Sequence, residues 1–562
     1  MTRVTIVRRG ILPTCGWLAL TCACPALAED WFVESSAARK LVATYHSGAT
    51  GQLYFPEIMC GGGAWLDYDA DGDLDFYLVQ AYELPDGAER GVGNQLFQND
   101  AGTFTDVSAA SNTNDRGYGN GVTCGDYDSD GDTDIYVNNL GPNVLYRNNG
   151  DGTFTDVTEE AGVGDPLWSI AGAFFDYDLD GDLDLFVVNY MDWTPGTHHL
   201  CFGRGGRPDY CGPHSFHRPV PDRLYRNNGD GTFTDVSKEA GFTAAPATGM
   251  GATTGDFNGD GRPDIYVTND LLENQLWLNQ GNGTFLDDSL MMGCAVNEMG
   301  KTESGMGVCA IDYDDDGDLD LFMVHLIGQT NTFYEFDGEM FDDVTTGLGL
   351  AIPSVPYTSF SPGYIDYDND GLLDLFVGNG RVSLCPPEEG EHPLALPNQL
   401  FRLTPQKKYV EVSYQAGPAL RLVETTRGSV FGDFDNDGDT DIALVNMDGP
   451  LQLLENRLGN KNHWIGFRTR DKYGRHAIGA KIAVTVNGTT RHRWVQRSYS
   501  YASSNDPRVL VGLGKSTRVE EILVTWPLGN QERFASLPCD RYVELVEGRG
   551  QLVAAAKVSQ PR

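Results

Sequence analysis

Apolar and acidic positions alternate along this chain in blocks. In DYDLDGDLDLFVVN, residues 176–189, aspartates fill every second position and are followed at once by Leu185-Phe186-Val187-Val188 and an Asn. A short uninterrupted apolar run bounded by turn residues predicts a strand buried on both faces. The block recurs as DYDADGDLDFYLV from Asp67, DYDSDGDTDIYVNN from Asp126, DFNGDGRPDIYVTN from Asp256, DYDDDGDLDLFMVH from Asp312, DYDNDGLLDLFVGN from Asp366 and DFDNDGDTDIALVN from Asp433. Most copies precede a second motif such as NVLYRNNGDGTFTDV at 143, whose aromatic segments flank an Asn/Gly turn. Each unit therefore predicts four short strands, one entering the acidic loop, one leaving it, and a hairpin.

A single sheet of this kind cannot bury its own faces, so seven in series predict blades packed around an axis. The expected fold is all-β: a seven-bladed β-propeller with calcium loops over residues 29–460, a small C-terminal β-sandwich over 461–548, and a tail over 549–562. The last copy has no hairpin partner after LQLLEN, 451–456, whereas DWFVESSAA, 30–38, matches GTFTDVSAA, 102–110. Residues 31–36 are expected to return as the outer strand of the seventh blade, which would remove an exposed edge.

In the loop D-x-[DN]-x-D-G-x-x-D, side chains at positions 1, 3 and 5 converge because Gly at 6 permits a tight turn. Position 7 offers its backbone carbonyl, and Asp at 9 closes the shell. Hard oxygen donors in this order suit calcium, several ions and up to one per blade. The candidate ligands are Asp67, Asp69, Asp71, Asp73 and Asp75; Asp126, Asp128, Asp130, Asp132 and Asp134; Asp176, Asp178, Asp180, Asp182 and Asp184; Asp256, Asn258, Asp260, Arg262 and Asp264; Asp312, Asp314, Asp316, Asp318 and Asp320; Asp366, Asp368, Asp370, Leu372 and Asp374; and Asp433, Asp435, Asp437, Asp439 and Asp441. Arg262 and Leu372 at position 7 fit a residue that contributes only its carbonyl.

Charge narrows the partners. The 562 residues carry a net charge of -40, which would repel nucleic acid or an anionic membrane surface. Arg3, Arg8 and Arg9, an apolar stretch from Ile11, and Ala26-Leu27-Ala28 read as an export signal over residues 1–28, cleaved near Ala28. No later segment reaches the ~20 apolar residues of a transmembrane span. The expected location is therefore secreted or periplasmic, where the eight cysteines beyond the leader permit up to four disulfides.

The tail reads NHWIGFR (462–468), GRHAIGAKIAV (474–484), LVGLGKSTRVEEILVTWPLG (510–529) and YVELVEG (542–548). With the acidic repeats and the leader, these motifs resemble the secreted FG-GAP/VCBS-repeat proteins of the cartilage-acidic-protein type with a C-terminal ASPIC/UnbV domain. The resemblance covers nearly the whole mature chain and implies calcium binding and secretion, without a settled activity. Cys60 stands where the family has Gly, and Arg381 where it more often has His. From Lys461 to Gly548 there are 14 Lys and Arg against 8 Asp and Glu, so this basic segment is expected either to pack on the acidic propeller or to bind an anionic partner.

Connections opposite the calcium loops carry the variable chemistry. His46, Glu57, Asp270 and His325 are the candidate acids and bases around an axial funnel, and Tyr54, Asn189, Asp192, Asn379 and Arg381 the candidate binding residues. The insertion over 192–221 holds His198, His199, Cys201, Cys211, His214 and His217, which suit a Cys201–Cys211 disulfide or a zinc or copper site. Two functions stay open. One is a secreted calcium-binding propeller that takes an extracellular glycan, protein or small-molecule ligand on its non-calcium face. The other is an extracytoplasmic lyase, cyclase or isomerase with a pocket there. No nucleophile-elbow, zincin, P-loop or dinucleotide motif is present.

Overall fold

The computed structural model describes residues 30–85, 92–216, 218–384 and 393–553. The expected leader over 1–28 lies outside the described residues, as do His217 and most of the tail.

Among the described residues are seven four-stranded antiparallel sheets of common order. In the third, Ser169–Phe175 pairs with Asp184–Asn189, which pairs with Arg223–Asn227 and then Phe233–Asp235. The innermost strands touch in sequence from Gly63–Leu66 through Gly119–Gly125, Ser169–Phe175, Gly249–Gly255, Val308–Ile311 and Ser359–Ile365 to Thr426–Gly432, which returns to Gly63–Leu66. The sheets thus close a ring of blades. Second strands lie between neighbouring blades, so both of their faces are covered; Leu185, Phe186, Val187 and Val188 have no exposed surface, which explains runs without polar alternation.

Closure uses two devices. Phe32–Glu34 pairs antiparallel with Gln452–Asn456, Phe32 opposite Asn456, as the outer strand of the seventh sheet. The Asn ending the third strand also reaches into the preceding blade. Asn148 Nδ2 donates to the Tyr68 carbonyl, Asn227 to Tyr127 and Asn279 to Tyr177, at 2.7–2.8 Å. The Asn99 amide spans the seam to the Phe434 carbonyl at 2.9 Å. The Asn of the LYRN motif is therefore an inter-blade staple.

Beyond the ring, a three-stranded and a five-stranded sheet enclose a separate core of Ile465, Phe467, Ile482, Val484, Val511, Val524 and Trp526. This C-terminal sandwich sits on the face that carries the acidic loops. Its cations reach loop glycine carbonyls: Arg468 to Gly72 at 3.0 Å, Arg475 to Gly181, Lys481 to Gly317, and Arg491 and Arg493 to Gly371 at 2.7 and 2.9 Å. Trp464 packs so close over Gly438 that a Cβ there would lie 1.7 Å from the indole. The basic tail thus answers the acidic ring.

From the same domain, residues 495–506 enter the central channel. Ser500 exchanges backbone bonds with Val308, Ser504 with Gly63 and Trp65, and the Ala502 carbonyl accepts from Val122. The inner strands admit this plug through glycines: a Cβ on Gly62 would meet the Ala502 carbonyl oxygen at 2.1 Å. Tyr501, fully buried and edge-on to Phe360 at 5.1 Å, donates its hydroxyl to the Met59 carbonyl. The channel is filled from the acidic face, and a pocket opens beyond the plug on the other side.

Candidate functional site

The acidic loops share one geometry. In the third blade Asp176 accepts from the amides of Asp180 (3.1 Å) and Gly181 (3.0 Å), and Asp180 accepts from that of Asp182 (2.9 Å). Asp184 accepts from Tyr177 at 3.0 Å and Asn227 at 2.8 Å, which ties the loop to the third strand. Position 4 is left-handed in every loop (Leu179 at φ 59°), as is the Gly at position 6 (Gly181 at 104°), so the chain curls around its own carboxylates. Three oxygens converge within 4.8 Å in the groups Asp67/Asp69/Asp71, Asp126/Asp128/Asp134 and Asp176/Asp178/Asp184. Oδ1 of Asp67, Asp69, Asp128, Asp366 and Asp435 is buried without a hydrogen-bond partner. Burial, then neighbouring carboxylates, pushes Asp126 and Asp176 up to about 7. Oxygen-only donors with bare buried oxygens fit calcium. In the first blade the position 7 side chain turns outward instead, where Asp73 accepts from the Ala101 amide at 3.0 Å, whereas Asp439 at the same position of the seventh loop is buried.

On the opposite face lies a pocket of about 290 Å³, walled by Phe55, Ile58, Met306, Leu326 and Val382 and by the insertion residues Phe202, Tyr210 and Pro213. Met59, whose carbonyl holds Tyr501, belongs to its lining. The insertion is shaped by a Cys201–Cys211 disulfide across the two-stranded hairpin Cys201–Phe202 and Pro208–Asp209. Buried Asp209 docks this hairpin on the sixth blade, accepting from Ser383 Oγ at 2.6 Å and the Leu384 amide at 2.8 Å.

Two carboxyl–tyrosine pairs converge there. Tyr210 Oη donates to Glu57 Oε2 at 3.1 Å, and Tyr190 Oη to Asp270 Oδ2 at 2.6 Å. Glu57 is 1% and Asp270 3% exposed, and the second oxygen of each, Glu57 Oε1 and Asp270 Oδ1, has no partner. Burial raises both carboxyls, that of Glu57 to about 7 against the opposing Tyr210 bond. Asp270 and Tyr210 line the pocket directly, and Glu57 stands behind Tyr210.

The other expected residues lie elsewhere. His46 is exposed, and its backbone is held by Gln80 and Ala81. His325 is buried 3.9 Å from Glu303, with burial lowering its imidazole to about 4, and neither histidine lines the pocket. Asn189 and Asn379 spend their amides at blade ends, accepting from Ser169 and Ser359 hydroxyls and donating to the Pro221 and Pro397 carbonyls. Asp192 pairs with Arg218 at the surface (3.0 Å), and Arg381 takes the Leu394 carbonyl and offers its own to buried Arg427. Tyr54 packs edge-on against Trp193 and His198. Both cysteines of the insertion are in the disulfide, so neither thiol is free for a metal there. Sequence reasoning missed Tyr190, Tyr210, Asp209 and Tyr501, since nothing local distinguishes them from core aromatics or turn acids.

A model of the FG-GAP-like repeat family matches residues 67–137, 126–187, 206–267, 256–323 and 312–377, together more than half of the chain, and an ASPIC and UnbV model matches residues 470–552. Cartilage acidic protein 1 of Mus musculus and of Homo sapiens are each 27% identical over 327 residues, 57% of this chain and 48% and 46% of theirs. The chain thus spans about half the length of the curated relatives it matches. A lectin from Burkholderia pseudomallei superposes with a TM-score of 0.42 at 12% identity, over 71% of this chain and 96% of its own. A rhamnogalacturonan lyase from Bacillus licheniformis does so with 0.36 at 13%, over 71% and 72%. Superpositions this loose assign no function. The repeat and tail matches do assign kinship, and the chain belongs to the FG-GAP-like repeat family, with an ASPIC and UnbV domain at its C-terminal end.

Proposed function

We propose that this chain is an exported, calcium-locked propeller that takes a polyhydroxylated ligand, the end of a saccharide chain or a small natural product, into the pocket on its non-calcium face. The observation that carries this reading is the pocket's make-up: apolar walls with two buried carboxyl–tyrosine pairs, each keeping a free oxygen. Small-ligand sites are built this way, an apolar cleft with few convergent polar groups. A disulfide in the pocket wall agrees with export after cleavage near Ala28. No helix among the described residues is long and apolar enough to cross a membrane. The bare oxygens of the acidic loops support calcium as the ion that holds the opposite face.

One observation favours a second reading, in which the ligand is turned over. A carboxyl poised at about 7, as Glu57 is behind Tyr210, exchanges a proton readily at neutral pH, and Asp270 supplies a second acid in the pocket lining itself. A lyase, cyclase or isomerase can use such a pair as its acid and base. The test incubates the calcium-replete protein, the Glu57→Gln variant and the Asp270→Asn variant with oligosaccharides and small polyols, scoring retention by calorimetry and conversion by mass spectrometry. Retention without conversion, weakened in either variant, supports binding. Conversion lost in either variant supports the enzyme, and variants that retain and convert like the parent refute the pocket.

A further inference from the structure

A mixed-donor cluster lies apart from the pocket, in the C-terminal domain beside the seventh acidic loop, whose Asp433 accepts from the Tyr542 hydroxyl at 2.8 Å. His463 opens the strand His463–Arg470, and Cys539 and Asp540 form the turn before Tyr542–Val546. Backbone bonds fasten this turn: the Asp540 amide donates to the Trp464 carbonyl at 2.7 Å, and Asp540 Oδ1 accepts from the Trp464 amide at 3.3 Å. Asp540 is left-handed at φ 60°, a conformation disfavoured for a residue with a Cβ. The result brings three unlike donor atoms together. His463 Nδ1 lies 2.8 Å from Asp540 Oδ2 and 3.5 Å from Cys539 Sγ, and the sulfur lies 3.1 Å from the same carboxylate oxygen.

We propose that His463, Cys539 and Asp540 bind a zinc-class divalent transition metal, with water as the fourth ligand. Tetrahedral ligands at about 2.0–2.3 Å stand roughly 3.3–3.7 Å from one another, so the three donors need to spread by about half an ångström or less. Side chains this accessible can do so: His463 is 36% and Asp540 46% exposed, which also leaves an open side for the water. Thiolate, imidazole and carboxylate together select a borderline metal over the calcium suited to all-oxygen loops. Availability of the sulfur agrees. Cys60, Cys124, Cys294 and Cys309 are buried thiols, whereas Cys539 is the free cysteine among the described residues that solvent reaches.

The experiment uses the full mature chain, saturated with calcium, under mild reduction and stripped of transition metal. Cobalt(II) is the probe, because a thiolate-to-cobalt absorption in the near ultraviolet reports sulfur ligation that carboxylate loops cannot give. The expected result is saturation at one equivalent, loss of the band on adding zinc(II), no band in Cys539→Ser, and affinity at least tenfold weaker in His463→Gln. Unchanged thermal transitions in calcium show that both variants fold. A missing band in the parent, a band that survives Cys539→Ser, or unchanged affinity in His463→Gln overturns the proposal. So does peptide mapping that finds Cys539 in a disulfide in the native protein.

Discussion

Replacing Glu57 by Gln should stabilise the protein above neutral pH while removing function from the pocket. Its carboxyl rises from 4.5 to about 7 because it is buried with one oxygen bare, and the Tyr210 hydroxyl recovers part of that cost. A raised carboxyl binds its proton more tightly in the folded state, so its effect is absent below about pH 4.5. The cost grows as pH climbs from about 4.5 to the folded value and is complete above about 7. Some 2.5 units correspond to about 3 kcal/mol. That figure is a ceiling, because the open pocket beside Tyr210 lets water screen part of the charge. Unfolding entropy of ~2.1 cal/mol/K per residue over some 500 residues converts it to a rise of about 3 °C in Tm at pH 8. Differential scanning calorimetry of parent and variant at fixed saturating calcium, from pH 5 to 8, measures it. A variant less stable than the parent at pH 8, or a difference that does not grow from pH 5 to 8, refutes the reasoning.

Chelating calcium should cost about 1.4 kcal/mol for each loop whose Kd is ~0.1 mM in ~1 mM calcium, and about 10 for seven, read as a fall in Tm on adding EGTA; an unchanged Tm removes the ion from the account. Gly438→Ala drives a methyl into Trp464 at a φ of 94°, costing about 2–4 kcal/mol and loosening the C-terminal domain, which limited proteolysis in the 457–462 segment would report. Phe32→Ala empties a fully buried site on the ring-closing strand and should lower stability by about 3–5 kcal/mol in urea melts, with the m-value unchanged if the ring still unfolds as one unit.

The repeats announced the ring because each blade solves the same local problem. The acidic loop, the doubly buried strand and the Asn/Gly hairpin have period and punctuation that a sequence displays, and even the returning Phe32–Glu34 strand was legible from its likeness to GTFTDV. The pocket was legible only in part. Glu57 and Asp270 stand among the expected acids and bases of an axial funnel, but so do His46 and His325, which the structure leaves outside the pocket lining. Their tyrosine partners were invisible: Tyr190 and Tyr210 meet the carboxyls across 80 and 153 residues. Asn189 and Asn379 misled for a different reason. A polar residue ending a buried strand serves first to satisfy the backbone at the blade's end, and a sequence does not reveal that its amide is already committed.

The same separation of scales explains how the chain tolerates its own pocket. Holding Glu57 in its charged form at neutral pH costs about 3 kcal/mol, a large share of a domain's net stability, so the surrounding frame must be held firmly by something else. That frame is the opposite face. There five cations of the C-terminal domain meet the acidic loops at four glycine carbonyls, and the plug over 495–506 ties inner strands of several blades to one another. Tyr501 carries this rigidity across the molecule: its hydroxyl ends on the Met59 carbonyl, two residues from Glu57, and so fixes the segment that presents the carboxyl. The pocket beyond the filled axis is walled by the disulfide-bound hairpin that carries Tyr210. The acidic loops and the buried carboxyl–tyrosine pairs therefore sit on opposite faces, and the C-terminal plug is the element that touches both.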